Sequence, residues 1–291
     1  MDLIFYSIII LINITFFINL ERISNFLKIY DNPDFKRKMH KNKVPQIGGI
    51  VFFLNFCVYL IFDKIYFKNF IDLSYLVIFF SAFFIFLTGI LDDKFNINAK
   101  LKTILFISIF FFSIIFEKSL IINNLSFSFY ETEIDTKKFS IFFTVLCFFL
   151  FINAFNMYDG INGQIGIYII ILFSYLVFKN LYFNFSIAII ITSIFFIFFN
   201  LKNKIFLGDN GSLFVSFIFS LIIIYNNNKN LNIYSDEIFI LMMLPGIDMA
   251  RLFIVRIFNK KNPMKADNNH FHHILCRKIS PQSSLMINSF L

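Results

Sequence analysis

A chain of 291 residues that is 58% hydrophobic and only 15% charged, with mean hydropathy +0.75, lies far from the soluble pattern of about 45–50% apolar and about 25% charged residues. These values exclude a soluble globular enzyme and imply an all-α polytopic membrane protein, a single integral membrane domain over residues 1–291 with about nine or ten spans. The formal net charge of +8 falls between the apolar runs beside membrane lipid, and no nucleic-acid partner is expected.

Apolar runs near the length a bilayer needs, about 17–25 residues, predict helices near 3–20, 47–62, 74–91, 101–116, 139–155, 164–178, 184–199, 213–225 and 236–257. The first follows Asp2 rather than a basic segment and lacks a small-residue cleavage site, so it reads as a retained span. Cys57 and Cys147 sit inside apolar runs, and with Cys276 they show no close-paired spacing; packing is their simplest role. The stretch FSFYETEI within Glu117–Lys138 alternates and predicts a small exterior hairpin with no chemistry of its own.

Connections after the odd-numbered spans hold 17 Lys and Arg, against 7 in the even ones. The positive-inside rule therefore assigns the odd connections to the cytoplasm. All nine Gly, all five Pro and all four His also lie in or beside the odd connections or the span ends that feed them. Unusual backbone angles, stiff turns and imidazoles thus gather on one face, as a cytoplasmic active site requires.

The first connection is the most basic, with Lys36, Arg37, Lys38, Lys41 and Lys43 around His40, leading into VPQIGGI. It is a topology signal beside anionic headgroups or an attractor of an anionic substrate, and Gly48-Gly49 allow close approach of a ligand or a neighbouring helix. In LTGILDDKFNINAK, Asp92 and Asp93 end an apolar run and Lys94, Lys100 and Lys102 follow. Adjacent carboxylates belong at the interface, where they are a solvated helix end or a base and a site for a hard cation. The segment NAFNMYDGINGQIG offers Asn153, Asn156, Asp159 and Asn162 among three glycines, spaced to line one side of a helix end. In LGDNGS, Asp209 either caps the next helix or ligates a metal beside backbone N–H groups suited to phosphate. Pro245-Gly246 should break or kink the last span, whose cytoplasmic half carries Asp248, Arg251 and Arg256; Asp248 and Arg251 could simply pair. Beyond it PMKADNNHFHHIL places His270, His272 and His273 near Lys265 and Asp267. This set suits phosphate better than zinc.

Taken together and in this order, PQIGG, GILDDKFNINAK, NAFNMYDGING, LGDNGS, and PGIDMARLFIVR with PMKADNNHFHH resemble the polyprenyl-phosphate N-acetylhexosamine-1-phosphate transferase family, glycosyltransferase family 4, over Val44–Leu275. The HFHH ending looks more like the branch that initiates envelope polysaccharides, such as lipopolysaccharide O-antigen, than the peptidoglycan translocase. The resemblance implies Mg²⁺-dependent transfer of an aminosugar-1-phosphate from a UDP-N-acetylhexosamine to undecaprenyl phosphate at the cytoplasmic face of the bacterial inner membrane. Mn²⁺ is an acceptable substitute ion, and a homodimer is compatible with the pattern.

By position it implies that Asp92 or Asp93 deprotonates or orients the lipid phosphate. Asp209 would ligate the metal with Asn156 beside it, and Asp159 and Asn162 would line the nucleotide pocket. Lys100, Arg256, His270, His272 and His273 would surround the diphosphate. Asn162 stands where bacterial members usually carry Asp, and Asn268 and Gln46 stand where Arg is common. Members of the family are also expected to continue past the equivalent of Leu291 through at least one further span. Two other classes fit the pattern less well. CDP-alcohol phosphatidyltransferases gather their aspartates in one helix motif, whereas these acids are spread over four connections. Transporters place paired broken helices at the midplane, whereas here only the last span looks broken.

Overall fold

The computed structural model describes residues 1–33, 42–70, 73–229, 233–260, 270–276 and 278–290. Its helices in chain order are α1 (Asp2–Ile18), α2 (Leu20–Leu27), α3 (Gly48–Phe62), α4 (Tyr75–Phe95), α5 (Ala99–Phe116), α6 (Ser140–Tyr158), α7 (Gln164–Phe178), α8 (Phe183–Asn200), α9 (Gly208–Asn228), α10 (Ser235–Phe258), α11 (Phe271–Cys276) and α12 (Pro281–Phe290). Each of the nine predicted spans coincides with a helix. Seven helices among the described residues are long and apolar enough to cross a membrane, and α1 with α2 form a further pair bent by 68°. The sixth predicted span, α7, has 15 residues, about 22 Å of helix and short of a full hydrocarbon core.

The bundle is organised around α9. Every residue from 210 to 226 is buried, and α4, α3 and α6 pack around it. This helix carries Ser212, Ser216, Ser220 and Asn226, residues a lipid-facing helix would shed. Their polar groups turn inward to the helix's own carbonyls: Ser216 Oγ donates to Ser212 O at 2.6 Å, and Asn226 Nδ2 to Ile222 O at 2.6 Å. Small side chains let neighbouring backbones approach closely. A Cβ on Gly49 of α3 would overlap the backbone of Gly211, and one on Gly89 of α4 would overlap that of Asn210. Gly49 therefore serves a neighbouring helix, one of the two roles open to it from sequence.

Two short sheets complete the chain. Strands β1 (Tyr30–Asp31) and β2 (Val44–Pro45) pair antiparallel, and β3 (Asn124–Phe127) and β4 (Tyr130–Asp135) form the predicted hairpin. The hairpin is tied to the C-terminal end of α9 by Asn227 Nδ2 on Asn124 O, and to the start of α10 by Ser128, whose N–H meets Asp236 at 2.9 Å. At this same end, between α3 and α4, buried Asp63 accepts hydrogen bonds from Tyr59 OH, Tyr75 OH, both nitrogens of Asn69 and the Phe70 N–H, all within 3.0 Å. The connection between α3 and α4 is thus knit by neutral donors around one carboxylate, and the glycine-rich odd connections gather at the opposite end.

Two boundaries differ from expectation. Helix α10 runs unbroken through Pro245, because losing one N–H is tolerated inside a membrane bundle. Helix α9 begins at Gly208, so the polar LGDNGS forms its first turn instead of a loop. An apolar-run criterion misses that turn because the group that caps it comes from another helix.

Candidate active site

Asp92 and Asp93 lie in the last turns of α4, which ends at Asn96 in a left-handed conformation (φ 51). The Asn96 N–H returns to Asp92 O at 2.8 Å, and the Ile97 N–H donates to Asp92 Oδ1 at 2.8 Å. Asn98 then caps α5, its side chain accepting from the Lys100 N–H at 3.1 Å. This tight three-residue reversal brings the first turns of α5 back beside Asp92.

The cation that reaches the carboxylates is Lys102. Its Nζ donates to Asp92 Oδ2 at 2.6 Å and also pairs with Asp209 Oδ2. Lys100, the sequence-level candidate, is exposed in the first turn of α5. In the sequence Lys102 stands only as part of the basic flank. Its place three residues into an apolar helix, where a charge needs a partner, was the available signal.

The paired aspartates divide their work. Asp92 faces Lys102, but Asp93 turns to the start of α9, accepting from the Asp209 N–H (2.9 Å), the Asn210 N–H (2.9 Å) and Asn210 Nδ2 (2.6 Å). A carboxylate beside otherwise unpaired N–H groups is the favoured arrangement at a helix N-terminus. Gly208 makes room for it: its φ is +74, and a Cβ there would lie 2.7 Å from Asp93 Oδ2. Asp209 therefore does not cap its own helix, and its side chain projects to Lys102 and to Asn156. Asn156, on the last turn of α6, donates through Nδ2 to Asp209 Oδ1 at 2.9 Å and to Ser212 Oγ at 2.8 Å.

The PQIGG segment closes this joint from below. Gln46 bridges Phe206 in parallel register. The Phe206 N–H donates to Pro45 O, and the N–H groups of Gly48 and Gly49 donate to Phe206 O and Leu207 O, all at 2.9–3.0 Å. Asn210 Nδ2 also reaches Gln46 O at 2.8 Å.

Asp159 follows α6 directly, half-buried. Burial and then the charge of Asp209 push its carboxyl up to about 7, so it lies within electrostatic reach of the same cluster. Asn162 stands apart: its Nδ2 donates to Asn203 Oδ1 at 2.8 Å, and the neighbouring Gly163 N–H is held by Asn200 Oδ1 at 2.6 Å. In the fifth connection, Asp248 pairs with Arg251 at 2.7 Å as one sequence reading had it. It also meets His270 Nδ1 at 3.0 Å and the Phe271 N–H at 3.0 Å. Arg256 is buried on the last turn of α10. The side chains of His272 and His273 lie outside the described residues, as do His40, Lys265, Asp267, Asn268 and the basic cluster Lys36–Lys41.

Among the described residues no three His, Cys, Asp or Glu side chains converge into a ready-made metal cage. What converges is two carboxylates, those of Asp92 and Asp209, on one ammonium. This donor set suits Mg²⁺, which is usually held by one or two carboxylates together with substrate phosphates and water.

The sequence model of glycosyl transferase family 4 matches residues 75–227. The chain is 28% identical over 268 residues to a Bacillus subtilis protein named "Probable undecaprenyl-phosphate N-acetylglucosaminyl 1-phosphate transferase", covering 88% of this chain and 72% of the relative. It is 26% identical over 270 residues to the undecaprenyl-phosphate alpha-N-acetylglucosaminyl 1-phosphate transferase of Escherichia coli K12, covering 88% and 71%. The enzyme of the same name from Salmonella typhi is 27% identical over 277 residues, covering 90% and 73%.

Proposed function

The chain belongs to glycosyl transferase family 4, and from that premise we propose that it transfers an N-acetylhexosamine-1-phosphate from a UDP-sugar to undecaprenyl phosphate, releasing UMP and starting an envelope polysaccharide. The observation that carries the reading is the convergence of Asp92, Lys102, Asn156 and Asp209, from four different helices, at one end of an apolar bundle. A lipid phosphate and a water-soluble diphosphate can meet only at such an interface. The excess of Lys and Arg in the same connections supports a cytoplasmic orientation for this end, in the bacterial inner membrane. The names of the relatives support the lipid acceptor. They lend nothing to a CDP-alcohol or transporter reading.

Asp92 is the group suited to take a proton from, or orient, the attacking lipid phosphate, since its Oδ2 faces the cluster while Asp93 is committed to α9. Lys102 supplies ammonium donors for phosphate oxygens. Asp209 and Asp92 would hold a divalent ion, and Asn156 orients Asp209 through its 2.9 Å bond. When bound, Mg²⁺ would supply positive charge against the diphosphate and the departing UMP. On this reading Asp159 serves the nucleotide side with Asn162, which stands further from the cluster, and Arg256 and His270 serve the phosphates.

The test is UMP release by the purified full chain in detergent with undecaprenyl phosphate, Mg²⁺ and a panel of UDP-sugars. Release with at least one UDP-N-acetylhexosamine, lost in Asp209→Asn, is expected. Absence of release with every donor would overturn the transferase reading. Full release by Asp209→Asn would overturn the metal assignment.

A further inference from the structure

Asp248 sits ten residues before the end of α10 and is only 8% exposed. A buried carboxylate is tolerated when its lone pairs are met. Arg251, one turn along the same helix, meets Oδ1 at 2.7 Å, an ordinary local pair. The remaining bonds are not local. Oδ1 also accepts the Phe271 N–H at 3.0 Å, and Oδ2 lies 3.0 Å from Nδ1 of His270, a side chain 22 residues away and itself buried. Tyr158, at the end of α6 and next to Asp159, also lies within electrostatic reach of Asp248. One carboxylate thus ties the start of the histidine-bearing helix α11 to α10, on the side where α10 packs against α6.

A ring held at Nδ1 can meet a ligand only through its other edge, and its rotation is fixed by the bond that holds it. We propose that Asp248 is a positioning residue for the transfer reaction: it anchors His270 at Nδ1 and Phe271 at its N–H, so that the ring presents Nε2 as the edge that meets the donor's phosphate oxygens. The proposal rests on the transferase reading above. It assigns Asp248 no contact with substrate, because the carboxylate's partners are Arg251, His270 and the Phe271 backbone. The benefit to turnover is pre-organisation, and removing it should lower kcat much more than it raises donor KM.

The experiment is a double-mutant cycle on the full chain in detergent, with kcat and donor KM measured for Asp248→Ala, His270→Ala and the double variant. Arg251→Ala and the melting temperature of each variant are measured alongside. Each single variant at these two positions is expected to lose about tenfold or more in kcat, with the double variant within about twofold of His270→Ala, since a residue acting through another adds nothing once that other is gone. Arg251→Ala is expected to change kcat by less than about twofold, because Asp248 then still meets His270 Nδ1 and the Phe271 N–H. If Asp248→Ala does not fold, the same cycle with Asp248→Leu, which keeps most of the volume and accepts no hydrogen bond, gives the same reading. Losses that multiply in the double variant, or a His270→Ala variant with wild-type kcat, overturn the positioning role while leaving the transferase reading intact. A wild-type chain that releases no UMP from any donor overturns both.

Discussion

Asp93 accepts the backbone N–H of Asp209 at 2.9 Å, so one acidic side chain fixes the main chain from which another reaches into the site. The two neighbours Asp92 and Asp93 should therefore fail differently. Asp93→Ala removes the acceptor of three donors at the start of α9 and should cost about 2 kcal/mol of stability, with activity falling as Asp209 loses its place. Asp92→Asn keeps an oxygen for the Ile97 N–H and should leave the melting temperature nearly unchanged, while UMP release falls by about 10²–10⁴-fold. Thermal melting and UMP release on the same preparations separate the two.

Lys102 neutralises two carboxylates that would otherwise face each other. Lys102→Met should destabilise the metal-free protein by about 2–3 kcal/mol. The variant should also gain more in melting temperature from added Mg²⁺ than the wild type does, because a divalent ion then meets both carboxylates with no ammonium to displace. Equal Mg²⁺ gains in the two proteins would argue against Asp92 and Asp209 as the ion's ligands.

Asp159, raised to about 7 by burial and by Asp209, sets the sign of one pH effect. Between its ordinary value near 4 and about 7 the folded chain keeps a proton that the unfolded chain has lost, so this group makes stability fall as pH rises across that window. Above about 7 both forms are ionised and the fall stops. Asp159→Asn should flatten this part of the melting-temperature profile between pH 5 and 8 in the absence of donor.

Gly49 and Gly246 form a contrasting pair. A Cβ at Gly49 would overlap the Gly211 backbone, so Gly49→Ala must push α3 off α9 and should cost about 2 kcal/mol or more. At Gly246, inside α10, a Cβ would meet nothing within 4 Å. Gly246→Ala should stabilise by about 0.5–1 kcal/mol, the ordinary gain in a helix interior. Detergent melts of the two variants check both signs.

Much of this arrangement is legible in the amino-acid order, because lipid forces a period-independent signal: a run of apolar residues long enough to cross. The nine segments, the FSFYETEI hairpin and the Asp248–Arg251 pair all follow from local rules. What escapes is whatever depends on contact between distant segments. Nothing in DDKFNINAKLK says that a three-residue reversal carries Lys102 to Asp92 and leaves Lys100 outside. Nothing local marks Asp93 as the cap of a helix 116 residues away, and the start of α9 is hidden for the same reason.

The bridge between Gln46 and Phe206 is made by peptide groups, joined by the Asn210 side-chain amide on Gln46 O. Such a seam has little vocabulary beyond the backbone: it demands glycine where chains touch and is indifferent to the identity of the side chain at 46. A change of side chain at 46 therefore leaves the turn that carries Asp209 fastened. The seam should hold its register through sequence drift that rewrites nearly everything around it.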